Sequence, residues 1–188
     1  MNHSEIDALS EKLLVVRAQG RDHAAFQQLV MQYERRVLYY VHRFLGPQIE
    51  SADILQEIWM TVFLKINRLS APEAFRVWLY KIAHDISINH LRRSRKHPKT
   101  SLTDDVATDL TDENDWNELE LLEHAELVHG ALEQLSLPHR EVLTLRFLEN
   151  LDLAEIATVA GCSLGTVKSR LHYAKTAMRQ HLEAICHD

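Results

Sequence analysis

The stretch Leu151–Lys175, LDLAEIATVAGCSLGTVKSRLHYAK, decides the fold. It reads as two short helices joined by a glycine-containing turn, the second polar and basic. Asp152 and Glu155 have the spacing of a capping box, and Leu153, Ile156, Ala157 and Ala160 form an apolar stripe. Gly161 suits the left-handed residue that ends a helix, and Ser163 suits the cap of the next. This is a helix-turn-helix, a unit that lays its second helix in the DNA major groove.

At about 100° per residue, Val167, Leu171 and Ala174 share one side of that second helix, and Met178 continues the line. The opposite side carries Gly165, Ser169, His172, Tyr173 and Thr176. Thr166, Lys168 and Arg170 flank it where phosphates would lie, and Lys175 adds a further base. Gly165 lets backbone approach DNA closely, while Ser169 and His172 offer hydrogen bonds to base edges.

Working outward, few glycines, prolines and aromatics and no Asn-Gly or Asp-Gly turn argue against a sheet-rich fold. The 188-residue chain carries a net charge of −6, which looks wrong for a DNA binder until it is divided. Residues 1–70 are neutral, residues 71–103 sum to +5, and residues 104–126 sum to −10. From Gly161 to Leu182 there are four bases and no acid. Two basic patches are thus separated by an acidic stretch, so the overall charge misleads.

Three helical stripes precede the first basic patch. Phe26, Leu29, Val30, Tyr33, Val37, Tyr40, Val41 and Phe44 form the first, ending near Gly46-Pro47. Leu55, Ile58, Trp59, Val62 and Ile66 form the second, closed by Ser70-Ala71-Pro72. Phe75, Trp78, Leu79, Ile82, Ala83 and Ile86 form the third, which runs into Arg92, Arg93, Arg95 and Lys96. With a helix near Leu9–Ala18 they make a first bundle, residues 1–97. Residues 98–118 lack periodicity and are expected to be a flexible acidic linker, about 21 residues able to reach roughly 70 Å. Residues 119–188 form the second domain, in which a Pro138-started helix (Val142, Leu145, Leu148) leads into the helix-turn-helix. The expected architecture is all-α, two helical domains on a tether.

In the second stripe, turning the core positions inward gathers Asp53, Gln56, Glu57, Met60 and Leu64 on the other side. This is either a docking face for a basic, partly apolar partner helix or a face covered by the N-terminal helix.

These residues, read together, resemble a known family. Ala52–Glu57 (ADILQE) followed by Phe75–Ala83 (FRVWLYKIA) resembles region two of bacterial extracytoplasmic-function sigma factors. Leu135–Val142 (LSLPHREV), Glu155-Ile156-Ala157 and Gly165–Leu171 (GTVKSRL) resemble their region four, in the right order over nearly the whole chain. The resemblance implies a dissociable RNA polymerase subunit that directs the core enzyme to promoter DNA. It implies that Asp53, Gln56, Glu57, Met60 and Leu64 dock on the clamp helices of the largest polymerase subunit. Asn67, Arg68 and Ser70, with Arg76, Lys81, Asp85 and Asn89 on the third helix, would read and melt the minus-ten element. Arg92, Arg93, Arg95 and Lys96 would hold phosphates. Gly165, Thr166, Lys168, Ser169, Arg170, His172, Tyr173 and Lys175 would meet the minus-thirty-five element, and the second domain would contact the flap of the other large subunit. An anti-sigma factor, often membrane-tethered, is implied as the inhibitor.

Two positions depart from the family pattern. Asp85 stands where members usually carry Asn, with an Asn four residues later at Asn89; an ionised carboxylate repels phosphate and donates nothing. Tyr173 stands where many members carry Arg, so a bidentate guanine contact is lost and altered promoter specificity is expected.

Other function classes find no support. The twelve His form no zincin arrangement, and no Cys-x-x-Cys exists, so no metal or other cofactor is expected. There is no phosphate loop, nucleophile elbow or placed carboxylate pair, hence no enzyme and no small-molecule substrate. Cys162 and Cys186 are too few for a disulfide framework, and Cys162 reads as a small core residue. The first 20 residues hold no signal-peptide core and no run is long enough to span a membrane, which predicts a cytoplasmic protein without membrane insertion. The alternatives are a helical regulator that binds operators without polymerase, or a scaffold whose first bundle serves only protein contacts.

Overall fold

The computed structural model describes residues 3–46, 51–96, 128 and 130–185. The expected linker over 98–118 lies outside the described residues, as do the side chains of Arg95 and Lys96. Among the described residues every regular element is helical. The first module holds α1 (His3–Gln19), α2 (His23–Leu45), α3 (Ser51–Lys65) and α4 (Phe75–Lys96), with short 3-10 turns at Ile66–Arg68 and Pro72–Ala74. The second holds α5 (Leu137–Leu143), a π-helical turn (Thr144–Leu148), α6 (Leu153–Ala160) and α7 (Leu164–Ile185).

Helix α2 is the axis of the first module. Asp22 caps it, its carboxylate accepting from the Ala25 N–H at 3.1 Å, and Gly46 ends it at φ 86°. Leu29, Tyr33, Val37, Tyr40, Val41 and Phe44 along its length are all buried. They meet Ile54, Ile58 and Val62 of α3, and Phe75, Leu79 and Ala83 of α4 in one apolar core. Aromatic edges fix the α2–α4 pairing, Tyr33 against Phe75 at 5.6 Å and Tyr40 against Tyr80 at 5.3 Å between ring centroids. Each fully buried large side chain contributes about 1.5–3 kcal/mol.

Helix α1 packs on α2 and on the two 3-10 turns. The face of α3 that it was a candidate to cover stays in solvent, with Met60 and Leu64 56% and 64% exposed.

The local signals in the second module resolve as the sequence implies. The Asp152 carboxylate accepts from the Ala154 and Glu155 N–H groups, and Glu155 returns a bond to the Asp152 N–H at 2.7 Å. Gly161 sits at φ 61°, ψ 38°, and the Ser163 hydroxyl accepts from the Thr166 N–H at 3.1 Å. The Pro138 helix departs from the periodic reading: it converts after Leu143 into the π turn. The Leu151 N–H then donates to the Leu145 carbonyl at 3.0 Å, which bends the chain into the helix-turn-helix.

The two modules pack together. Helices α2 and α4 receive α5 and α6, and one apolar cluster continues from Tyr40 and Phe44 into Leu135, Val142 and Leu145. Asp152→Ala removes the side-chain half of a reciprocal cap and keeps only its backbone N–H bond to Glu155, so it is expected to lower stability by about 1 kcal/mol, with Asp152→Ser recovering most of it. Denaturant unfolding followed by circular dichroism checks this.

Candidate nucleic-acid interface

The recognition helix α7 presents the face its sequence predicts. Val167 and Ala174 are buried, Leu171 and Met178 are half-buried, and Gly165, Lys168, Ser169, His172, Tyr173 and Lys175 are exposed. Three of the predicted contacts carry other duties. The Thr166 hydroxyl lies 2.8 Å from that of Ser163 within the N-terminal cap, and Arg170 is half-buried with Nη1 3.8 Å from the Cys162 Sγ. Lys175 turns toward the Phe147 ring, 5.2 Å from its centroid, on the edge of the helix nearest the module's apolar surface. The Ser169 hydroxyl bonds the Gly165 and Thr166 carbonyls at 3.1 Å, so its proton is spent within the helix and its lone pairs remain as acceptors. Tyr173, 62% exposed, is set edge-on to His172 at 5.6 Å, giving the outer face a flat aromatic corner.

In the first module the candidate minus-ten residues fall into two groups. Asn67, Arg68 and Ser70 are exposed on the loop after α3. That loop is held by Gln19 at the end of α1, whose Nε2 donates to the Ile66 carbonyl at 3.1 Å and to the Leu69 carbonyl at 2.6 Å. Lys12 reinforces it, 3.6 Å from Glu73. Sequence reading missed Gln19, since nothing in its neighbourhood marks a residue whose partners lie 47 and 50 positions away.

On α4, Asp85 receives a bond from Lys81 at 2.8 Å, one turn back. The carboxylate that would repel DNA is thereby paired with a neighbouring cation. Asn89, Arg92 and Arg93 are exposed along the same helix, whereas Arg76 is half-buried, 4.0 Å from Glu155 of the helix-turn-helix.

The α3 face is assembled as expected: Asp53, Gln56, Glu57, Met60 and Leu64 are all exposed, Phe63 extends the apolar part, and Glu57 lies 3.4 Å from His90 of α4. A feature the sequence did not announce is a groove of about 670 Å³ where the second module meets α2, lined by Tyr39, Leu132, Leu143, Phe147, Leu148 and Met178. Cys162 is half-buried against the core, as its sequence reading has it. Among the described residues no helix is long and apolar enough to cross a membrane.

Comparison with known proteins bears on both modules. Residues 29–97 match the sigma-70 region 2 family, and residues 125–178 match sigma-70 region 4. The chain is 33% identical over 183 residues to the RNA polymerase sigma-H factor of Pseudomonas aeruginosa, covering 93% of this chain and 95% of that one. It belongs to the extracytoplasmic-function family of RNA polymerase sigma factors. The ECF sigma-E factor of Escherichia coli K12 is 29% identical over 187 residues, covering 95% of this chain and 97% of that one. Among solved structures, CnrH in complex with the cytosolic domain of CnrY has a TM-score of 0.65 at 20% identity, covering 93% of this chain and 98% of that one. The sigma factor RpoE from Bartonella quintana, solved with the anti-sigma factor NepR, has a TM-score of 0.68 at 19% identity, covering 84% and 96%. The shared fold is that of this sigma factor's two helical modules.

Two outcomes follow from this geometry. His172→Ala is expected to weaken binding to a cognate promoter by about 1–3 kcal/mol, and Ser169→Ala by less, because Ser169 offers only acceptors. Gel shifts on cognate and random duplexes decide the matter: equal losses on both would assign these residues to the backbone. Gln19→Ala frees the loop that carries Asn67, Arg68 and Ser70, and is expected to slow promoter opening while leaving minus-thirty-five binding unchanged. Permanganate footprinting of the holoenzyme on a promoter measures the first effect.

Proposed function

We propose that this sigma factor divides promoter initiation among three surfaces. The α3 face (Asp53, Gln56, Glu57, Met60, Leu64) docks on core RNA polymerase. The loop residues Asn67, Arg68 and Ser70 and the α4 residues Arg76, Lys81, Asp85, Asn89, Arg92, Arg93, Arg95 and Lys96 engage the minus-ten element, and the α7 face engages the minus-thirty-five element. Melting needs no nucleotide hydrolysis, because extruded bases are captured and stacked, which offsets a few kcal/mol of lost pairing. The division follows the domain limits 1–97 and 119–188, with residues 98–118 as tether.

The observation that supports this best is the α3 face. Large apolar side chains left in solvent beside carboxylates, on a helix otherwise packed into a core, mark a partner surface. Family membership removes the readings as a stand-alone operator binder or a scaffold. The protein acts in the cytoplasm and is held in check by an anti-sigma factor tethered to the membrane. The apolar groove beside Phe147 and Leu148 suits an amphipathic helix of such an inhibitor.

Glu57→Arg tests the docking role. The side chain is exposed, so helix content and unfolding midpoint should stay as they are, whereas a reversed charge opposes a basic partner. Co-purification with core polymerase is expected to be lost; retention at the wild-type level would sink the assignment.

A further inference from the structure

Tyr173 stands exposed on the outer face of α7, yet imidazoles bracket its ring on two sides. His172, its neighbour in the helix, meets it edge-on, the ring planes 72° apart. His139 lies 6.5 Å from it between centroids, with the planes inclined at 33°. That second contact comes from another helix: His139 sits in the first turn of α5, where its backbone N–H donates to the Ser136 carbonyl at 2.9 Å. Contact with α5 therefore restricts a rotamer that α7 alone would leave open. A ring held in place before binding loses less conformational freedom when a ligand arrives.

The forked donors of α7 are directed away from this corner. Arg170 is half-buried beside Cys162, and Arg179 lines the apolar groove with Phe147 and Met178. Lys175 turns to the Phe147 ring. Ser169, one turn before Tyr173, keeps only acceptor lone pairs, and the Thr176 hydroxyl donates to the His172 carbonyl at 3.1 Å. The surface around Tyr173 thus presents an aromatic ring, one phenol hydroxyl and imidazole edges. It holds no bidentate donor for the O6 and N7 acceptors of guanine.

Bases within a duplex are stacked, so an aromatic side chain in the major groove meets their edges and not their faces. Most of those edges are hydrogen-bond donors and acceptors, which a ring would desolvate without replacing their bonds. The C5-methyl of thymine is the apolar group among them. Burying one such carbon against a ring corresponds to about fourfold in affinity.

We propose that Tyr173, braced by His139 and His172, is a specificity-determining residue that reads the C5-methyl of one thymine in the minus-thirty-five element. An A·T pair fits the corner, whereas guanine there would leave its acceptors facing a ring. The inference rests on the assignment of the α7 face to that element.

Holoenzyme reconstituted from the full-length chain and core polymerase, selecting from duplexes randomised over the length of a promoter, supplies the probe. Each thymine of the selected minus-thirty-five element is then exchanged for uracil, which deletes the methyl and leaves base pairing intact. At one position the wild-type holoenzyme should bind the uracil duplex about fourfold more weakly. Tyr173→Ala should bind both duplexes equally, Tyr173→Phe should keep the difference, and His139→Ala should reduce it. Tyr173 is exposed, so circular dichroism of the variants should match the wild type. A selected element without thymine, no penalty for uracil in the wild type, or a penalty that survives in Tyr173→Ala would each overturn the proposal. So would equal losses by Tyr173→Phe and Tyr173→Ala on every sequence, which would assign the hydroxyl to a phosphate. An unchanged penalty in His139→Ala would overturn the brace. Selection of no preferred upstream sequence by the wild type would instead overturn the assignment of α7 to the minus-thirty-five element, and the proposal with it.

Discussion

Helix α2 is 23 residues long and buries apolar side chains along its whole length, and that demand organises the molecule. A single helix cannot cover a stripe from Ala25 to Phe44. Helices α1, α3 and α4 take most of it, and α5 with the π turn takes the end around Tyr40 and Phe44. Because α4 is fixed against α2 by aromatic edges, its opposite face is aimed outward, where Asn89, Arg92 and Arg93 lie. The exposed face of α3, proposed above as a docking surface, arises in the same way: five inward positions fill the core, and what remains must face solvent or a partner.

The same demand makes the second module partly a lid on the first. Tyr40 buries its ring in the α2–α4 core but carries its hydroxyl to the surface of that core, where Glu141 accepts its proton. Burial and the neighbouring carboxylate push its ionisation well above the usual tyrosine range, so it stays a neutral donor. Tyr80, beneath Glu149 and equally buried, is shifted in the same direction for the same first reason. These polar groups sit beside the apolar contacts that run from Tyr40 and Phe44 into Leu135, Val142 and Leu145, so the boundary is held by both kinds of contact.

Which residues of α3 and α7 face solvent was legible in the residues. The faces of α7 follow from helical phase, which tertiary packing does not alter; Val167 and Ala174 are buried because they are in phase with each other and opposite Ser169. The α3 face is legible for the same reason. Phase alone, however, could not say that Lys175 would turn to Phe147, that Arg170 would brace Cys162, or that Asp85 would be paired by Lys81. Gln19 escaped altogether because its partners are backbone carbonyls, which carry no residue-type signal.

Local chemistry by itself fixed the helix-turn-helix: a capping box, a left-handed glycine and a serine cap act within a few residues, so they need no knowledge of the rest of the chain. It also fixed the helical class and the two apolar modules, since periodicity is a property of the neighbouring sequence. Only the tertiary structure decided how the modules meet. Contacts such as Tyr40 to Glu141 span 101 positions. Their formation depends on loop closure, desolvation and the shape of both cores at once, none of which is written in any one stretch of residues.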